Sequence, residues 1–491
     1  MILLKLYMVC GILIVFAFAQ QSVEEMMKQM QQQVNQEIQK NEEAVRKFIS
    51  KDDSLFAEFL KNDWKPFEPE KGREKEELPK PVKIPEIPES EVEFEEIEPI
   101  VVELPEDDID TTIDPEIIPR EIKIPKDKSY TGLIVPYFGQ KLKIQYDPEI
   151  KINVRQPVND KSIQKYWNNM SQVNIKPMIG QIESYTQLYK LNDYGKYLLV
   201  KKVADEILNT KDDKVLYCWY VMIKMGYDVK IGYGRNFTSI MIPTNNMLYS
   251  RPYLTFDGQK YFIFTYDDKK GNPLQLYSYD KSHPTASKFF DFSIKELPMF
   301  GEYNQEKELK FKYHNEVHIV NYVYNENLIK YFNNYPQTDY PVYFNAPVSP
   351  KILYSFVKSF KPIIENKPEQ EALNIILRFV QTAFEYKTDD DHFGREKPLI
   401  PDETFYYQYS DCEDRSILFS TLVREMLSLK VVGLKYKGHM AVGVKTKTKA
   451  KGDHISAGNN RYLVCDPTYI NANIGQCMPQ YKNTSIQVID Y

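Results

Sequence analysis

The pattern of hydrophobic and polar positions divides the chain into a helical start, a proline-rich middle and a long globular remainder. Between residues 20 and 65 the hydrophobic residues recur mostly every three or four positions, which predicts an amphipathic helix. Residues 66–128 combine frequent proline with runs of Glu and Lys, and this composition predicts an extended, disordered linker. From residue 129 onward the helical and alternating patterns of a folded protein return.

The globular part is predicted to hold two domains. Within residues 129–345, we predict helices at 197–208 and 215–225 and strands at 141–146, 150–154, 228–233, 239–243 and 261–266. Within residues 346–491, we predict helices at 352–360, 369–386 and 413–427 and strands at 430–435, 440–445 and 461–465, with a long polar loop after the second helix. Helices followed by antiparallel strands indicate an α+β fold.

The first 19 residues have the features of a signal peptide. Lys5 precedes an apolar run at 6–16, and Ala17 and Ala19 provide the small residues that signal peptidase requires. The run is short for a membrane span, so we expect an exported chain with no membrane span after cleavage. Its compartment would be the periplasm, the cell surface or the medium. An uncleaved N-terminal anchor is the alternative.

Charge and cysteine content narrow the classes of function. The net charge of −6 gives no sign of the basic surface that binds nucleic acid. Four of the five cysteines follow the signal peptide, and no Cys-x-x-Cys pair suggests a structural zinc site. Cys465 and Cys477 are the nearest pair for a single disulfide. The three aspartates at 389–391 lack the alternation of a calcium loop, so no metal or cofactor is predicted.

Three short motifs carry the candidate chemistry. Cys412 lies in YSDCEDRSILF at the start of an apolar helix, where the helix N-terminus favours a thiolate. His439 lies in KGHMAV at the mouth of one predicted strand, and Asp466 lies in VCDPTY at the end of the next. If the strands are neighbours facing the helix, His439 can act as a base that Asp466 orients. The Cys412 N–H is a candidate oxyanion donor, with residues 406–409 as candidates for a second.

These motifs, in this order, resemble the transglutaminase-like superfamily of papain-like thiol enzymes over roughly residues 350–479. The resemblance implies a Cys-bearing helix packed on an antiparallel sheet, with Cys412 as nucleophile, His439 as general base and Asp466 as orienting acid. It also implies acyl transfer through a thioester. The short, equal spacings between the three residues indicate a core without long insertions, which favours a hydrolase acting on a peptide or protein substrate. A protein cross-linking acyltransferase and a non-catalytic envelope or interaction protein with a relic triad are the alternatives.

Two further hypotheses concern the rest of the chain. The helix at 20–65 is a candidate for partner binding or self-association. Residues 221–231 resemble residues 422–432, because each stretch is a helix that stops and leads into a strand. We therefore consider a degenerate transglutaminase-like copy within 129–345, against chance similarity. Its positions for the triad would lie near Asp212, near Phe237, and at Thr265 or Tyr266.

Overall fold

The computed structural model describes residues 51–74, 85–90, 99–105, 130–267, 275–301 and 304–491. The predicted signal peptide lies outside these ranges. Of the predicted N-terminal helix, residues 51–65 are described, and 51–59 are helical. Within the described part of the chain, no helix combines the length and the apolar character that crossing a bilayer requires.

Helices pack against each of the two large antiparallel sheets. After residues 51–59, the α-helices are Asp160–Met170, Lys176–Leu188, Asp193–Ile207, Lys211–Lys224, Glu326–Phe332, Tyr340–Asn345, Pro350–Ile364, Glu369–Thr382, Asp389–Phe393, Pro401–Tyr406 and Cys412–Leu427. Several begin where a polar side chain accepts from a free N–H of the first turn, as Asn192 and Thr210 do. Helices and antiparallel sheets together give the mixed class that the sequence predicts.

Within the residues that the structure describes, the strands form two large sheets and three pairs. The N-terminal sheet is antiparallel, with the order Lys65–Phe67, Leu276–Ser278, Lys230–Tyr233, Thr238–Pro243, Gln259–Thr265 and Tyr253–Phe256. The C-terminal sheet is also antiparallel, with the order His454–Ala457, Asn460–Cys465, His439–Lys445, Lys430–Tyr436 and Gln487–Ile489. The pairs are Thr131–Tyr137 with Gln140–Tyr146, Asn304–Tyr313 with Glu316–Asn325, and the parallel Glu385–Tyr386 with Tyr409–Ser410.

The two large sheets share one connection order. In each sheet, a helix is followed along the chain by four strands. The first strand pairs with the second, the second pairs with the fourth, and the fourth pairs with the third. In each, the free side of the first strand pairs with a strand from a later part of the chain. The two helices that precede these strands are Lys211–Lys224 and Cys412–Leu427. They contain the starts of the two similar stretches, residues 221–231 and 422–432.

The hydrophobic cores follow the sheets but not the predicted domain boundary. One core contains Trp167 and Trp219 and continues through Phe344 to Cys412 and Met440, so it joins the two predicted domains. The second core lies in the C-terminal part. It also takes in Phe311 and Tyr322 of the Asn304–Asn325 hairpin, which precedes the predicted boundary at 345. Each buried large apolar side chain contributes about 1.5–3 kcal/mol to folding, so the hairpin is anchored to the later segment.

The described parts of the proline-rich stretch are ordered against the body, which corrects the prediction of a disordered linker at those places. Lys65–Phe67 forms an edge strand on Leu276–Ser278. Glu89 pairs with Arg378 at 2.5 Å, and Val102 is fully buried in the second core. Proline keeps the chain extended, and an extended backbone can still pair at a sheet edge and place single apolar residues in grooves.

Three predictions differ from the structure, one in the existence of a strand, one in the end of a helix and one in the content of a loop. Residues 150–154 are not a strand, because the Val154 N–H donates to Asp213 Oδ1 at 2.7 Å rather than to a neighbouring strand. The helix predicted to residue 386 ends at Thr382. The predicted long loop contains the short helices Asp389–Phe393 and Pro401–Tyr406, which start at a Thr388 cap and at a proline in the first turn.

Candidate active site

Cys412 is the first residue of its helix and faces the strand that carries His439. Its side chain is only 3% exposed. One turn further on, Ser416 Oγ donates to the carbonyl of Met440 at 3.1 Å, which fixes the helix against the strand. The backbone of Met440 also lies close to the Cys412 sulfur. Asp414 supports the helix start, because its Oδ1 accepts from the Leu399 N–H at 2.8 Å.

His439 and Asp466 form a buried hydrogen-bonded pair. His439 Nε2 lies 2.8 Å from Asp466 Oδ2, and the two residues are 3% and 2% exposed. Gly438, with φ of 83°, makes the tight turn that places His439 at the start of its strand. Asp466 Oδ1 accepts from the N–H groups of Thr468 at 3.0 Å and Tyr469 at 3.2 Å. Since Nε2 is engaged with the carboxylate, Nδ1 is the ring nitrogen left for a second partner.

Two buried polar side chains that the sequence analysis did not select hold the site together. Gln381 Nε2 donates to the carbonyls of Asp466, Tyr469 and Ala472 at 2.8–3.0 Å. The Arg415 guanidinium donates to Ser410 Oγ and to the carbonyls of Gln381 and Phe384. An Arg within an apolar helix is the sequence feature that indicates such a role for Arg415. Gln381 has no comparable local feature, because its partners lie far along the chain.

Tyr481 covers the imidazole. Its ring stacks on His439 with centroids 4.9 Å apart and planes 13° from parallel. Tyr481 and Ile87 both pack against a small cluster that includes Tyr469 and Met478. The segment 85–90 is held there because Asn471 Nδ2 donates to the Ile87 carbonyl at 2.9 Å. The site is therefore closed in this conformation.

Negative charge next to Cys412 opposes a thiolate. The thiol donates to Glu413 Oε2 at 3.1 Å. Burial, followed by the charges of Glu413 and Asp411, raises the pKa of Cys412 well above its ordinary value, against a smaller lowering by the Met440 N–H. The helix start alone thus does not produce the thiolate expected from the sequence.

Two of the four residues predicted as second oxyanion donors have other partners. The Tyr407 hydroxyl donates to Asn333 Oδ1 at 2.5 Å, and Gln408 Nε2 donates to Glu385 Oε1 at 2.6 Å. These contacts direct the loop toward neighbouring elements, and the backbone N–H of Cys412 stays the better candidate donor.

The other cysteines are buried free thiols. Cys218, Cys465 and Cys477 form no disulfide, so the pair considered from the sequence is not formed. Burial raises the pKa of Cys218 to about 12 and also raises the pKa of Cys465 and Cys477.

The N-terminal sheet has no triad at the corresponding places. By connection order, Lys211, Thr238 and Tyr266 hold the positions of Cys412, His439 and Asp466. These positions lie within one residue of those predicted from the internal similarity of the sequence, which are near Asp212, near Phe237, and at Thr265 or Tyr266. Thr238 Oγ1 donates to Asp212 Oδ1 at 2.8 Å, so a hydrogen bond links the helix start to the strand start.

Comparison with known proteins adds no assignment: no family profile, no curated protein and no solved structure matches this chain significantly.

Proposed function

We propose that this protein is an exported cysteine hydrolase that cleaves peptide or amide bonds through Cys412, His439 and Asp466. The observation that supports this proposal is the buried Nε2–Oδ2 contact of 2.8 Å between His439 and Asp466, beside a cysteine at a helix start. An orienting carboxylate on one ring nitrogen fixes the tautomer, and the other nitrogen then serves as the base. The resemblance in motif order supports a transglutaminase-like core.

The reaction follows from these roles. His439 Nδ1 takes the Cys412 proton, and the sulfur attacks the carbonyl carbon of the substrate. The tetrahedral oxyanion is stabilised by the Cys412 N–H. As the C–N bond breaks, the imidazolium gives its proton to the leaving amine, and a thioester remains on Cys412. Water, deprotonated by His439, then attacks the thioester and releases the acid and the free thiol.

A non-catalytic interaction protein with a relic triad is the second candidate. The observation that favours it is the closed site, in which Cys412 donates to Glu413 and Tyr481 covers His439. In that case the histidine and the carboxylate would serve stability only. The two candidates differ in the reactivity of one thiol, which can be measured directly.

The test is alkylation of the full chain with iodoacetamide, followed site by site with mass spectrometry. The hydrolase predicts that Cys412 reacts faster than Cys218 and that His439→Ala slows only Cys412. His454→Ala is the matched control, because His454 lies on the same sheet with its Nδ1 on the Gly452 carbonyl. Equally slow labelling of all cysteines, unchanged in the His439 variant, would reject the hydrolase and favour the relic.

We also propose that the N-terminal sheet unit is a degenerate copy of the C-terminal one that now acts as a scaffold. The shared connection order supports this hypothesis. Chemistry should then reside in one unit only. Cys218→Ala should leave peptide hydrolysis unchanged, whereas Cys412→Ala should abolish it. Loss of activity in a folded Cys218 variant would contradict the assignment.

A further inference from the structure

Residues 85–90 of the proline-rich segment bind to a groove next to the candidate active site. The groove consists of the residues that hydrogen-bond to this stretch or pack against its isoleucine: Arg378, residues 469–473 and Met478. The Ile470 N–H donates to the Pro85 carbonyl at 3.0 Å, and the Ile87 N–H donates to the Ile470 carbonyl at 3.2 Å. The stretch therefore pairs with the groove in the way that a peptide strand adds to an edge.

Two side chains of the stretch make specific contacts with the groove. Ile87 packs against an apolar cluster of three groove residues, Tyr469, Ala472 and Met478. Two positions further on, the Glu89 carboxylate pairs with Arg378 at 2.5 Å. The Arg378 side chain is only 3% exposed, and a buried guanidinium is paired best by a carboxylate. The groove thus fits an apolar residue that is followed, two positions later, by an acidic one.

The position between these two side chains suits a proline. The other hydrogen bonds of the groove go to the residues on either side, because Asn471 Nδ2 donates to the Ile87 carbonyl at 2.9 Å and Asn473 Nδ2 donates to the Ser90 carbonyl at 3.2 Å. Pro88 has no N–H, so no donor is left unpaired there. Proline also holds the backbone extended before binding, which lowers the entropy lost when the peptide is ordered.

The same three-residue pattern recurs in the proline-rich segment. The sequence reads Ile-Pro-Glu at 84–86 and again at 87–89, and Leu-Pro-Glu at 104–106. The stretch at 87–89 lies in the groove, whereas Leu104 is 46% exposed. One copy of the pattern is therefore bound, and the leucine of another faces solvent. This recurrence favours recognition of a class of sequence over a contact unique to one segment.

We propose that this groove is a binding site for extended peptides in which an apolar residue, a proline and a glutamate follow one another, and that residues 87–89 occupy it as a tethered ligand. A tethered ligand competes at an effective concentration of about millimolar, so a separate peptide binds tightly only when the tethered one is weakened. Peptide binding at the groove does not require a reactive Cys412, and the site is therefore independent of the hydrolase.

The test is fluorescence anisotropy of a fluorescein-labelled synthetic peptide of residues 85–91 titrated with the full chain. The double variant Ile87→Ala, Glu89→Ala weakens the tethered ligand. We expect it to bind the peptide at least about tenfold more tightly than wild type does. Glu86→Ala is the matched control, because Glu86 neighbours Ile87 but is exposed, and it should bind the peptide as wild type does. Circular dichroism checks that each variant folds.

Three further measurements identify the contacts that give recognition. A peptide with Glu89→Gln should bind the double variant about tenfold more weakly, because it loses the charge-assisted hydrogen bond to Arg378. Adding Asn471→Gly to the double variant removes the donor to the Ile87 carbonyl, and glycine tolerates the φ of 63° at this position. Binding should then weaken by about two- to tenfold. A peptide of residues 101–107 should compete for the groove.

The outcomes separate the peptide site from the hydrolase. No saturable binding to the folded double variant, equal binding of a scrambled peptide of the same composition, or no competition by the 101–107 peptide would overturn the site. Alkylation of Cys412 in the same samples reports on the hydrolase alone. Peptide binding without preferential Cys412 labelling supports the site and rejects the hydrolase, whereas preferential labelling without peptide binding does the reverse.

Discussion

Asp402 provides a stability test whose magnitude follows from the structure. It lies in the helix Pro401–Tyr406, is 1% exposed, and accepts from the Ser349 N–H at 2.9 Å through Oδ2. Its Oδ1 has no hydrogen-bond partner. Burial is the largest influence on this carboxyl and, with the nearby charge of Glu403, outweighs the hydrogen bonds from Ser349. The pKa of Asp402 is therefore raised from 3.8 to about 6.

The sign of the pH dependence follows from that shift. The folded state holds the proton more tightly than the unfolded chain, so the protonated carboxyl favours folding below about pH 4. This contribution is lost as the pH rises through about 6. A shift of about two pH units corresponds to about 3 kcal/mol in the free energy of unfolding. Asp402→Asn removes the titration and keeps an oxygen that can accept from Ser349. Relative to wild type, the variant should gain about 3 kcal/mol between pH 4 and pH 8.

The assay is urea unfolding of both proteins at several pH values between 4 and 8, followed by tryptophan fluorescence. The quantity to compare is the difference in unfolding free energy between variant and wild type. Asp490→Asn is the control, because the Asp490 side chain is 68% exposed and should show no such trend. A difference that stays constant within about 0.5 kcal/mol over the whole range would refute the argument from burial.

Three further substitutions test the packing and the cover of the site. Gly443→Ala places a Cβ 2.9 Å from Tyr462 Cβ, so overpacking should lower the unfolding free energy by about 1–3 kcal/mol in urea titrations. Asp53→Ala leaves Lys224 buried without its ion-pair partner and should cost about 3–5 kcal/mol, measured in the same way; a change below about 1 kcal/mol would show that residues 51–74 do not anchor the body. Tyr481→Ala removes the stacked ring above the histidine and should raise the alkylation rate of Cys412 by about two- to tenfold, whereas Tyr481→Phe should not.

The helix and the strands around Cys412 could be predicted from local patterns in the sequence. The helix, predicted at 413–427, is Cys412–Leu427, because its capping residues and apolar spacing lie within one continuous stretch. The strands predicted at 430–435 and 440–445 are Lys430–Tyr436 and His439–Lys445, because their apolar residues also lie within one continuous stretch. The contact between His439 and Asp466 was an expectation from motif order, and the hydrogen bond now gives it a geometry.

Features that depend on distant partners could not be predicted in this way. The edge strand Gln487–Ile489 is only three residues long and is defined by its pairing with Lys430–Tyr436. The order of residues 85–90 depends on partners such as Arg378 and Asn471, hundreds of positions away. The raised pKa of Cys412 likewise depends on burial by the whole core, which outweighs the helix N-terminus. The spacing of hydrophobic residues within one short stretch of sequence therefore cannot predict these three features.

The closed cover over His439 sets the kinetics of any reaction at this site. With Tyr481 stacked on the imidazole and Cys412 buried, reagents reach the thiol only in transiently opened molecules. The observed rate is then the intrinsic rate multiplied by the fraction of open molecules. Small alkylating reagents of different intrinsic speed should therefore all be slowed by the same factor. Selectivity for ligands at this site would then come from how well each ligand holds the opened form.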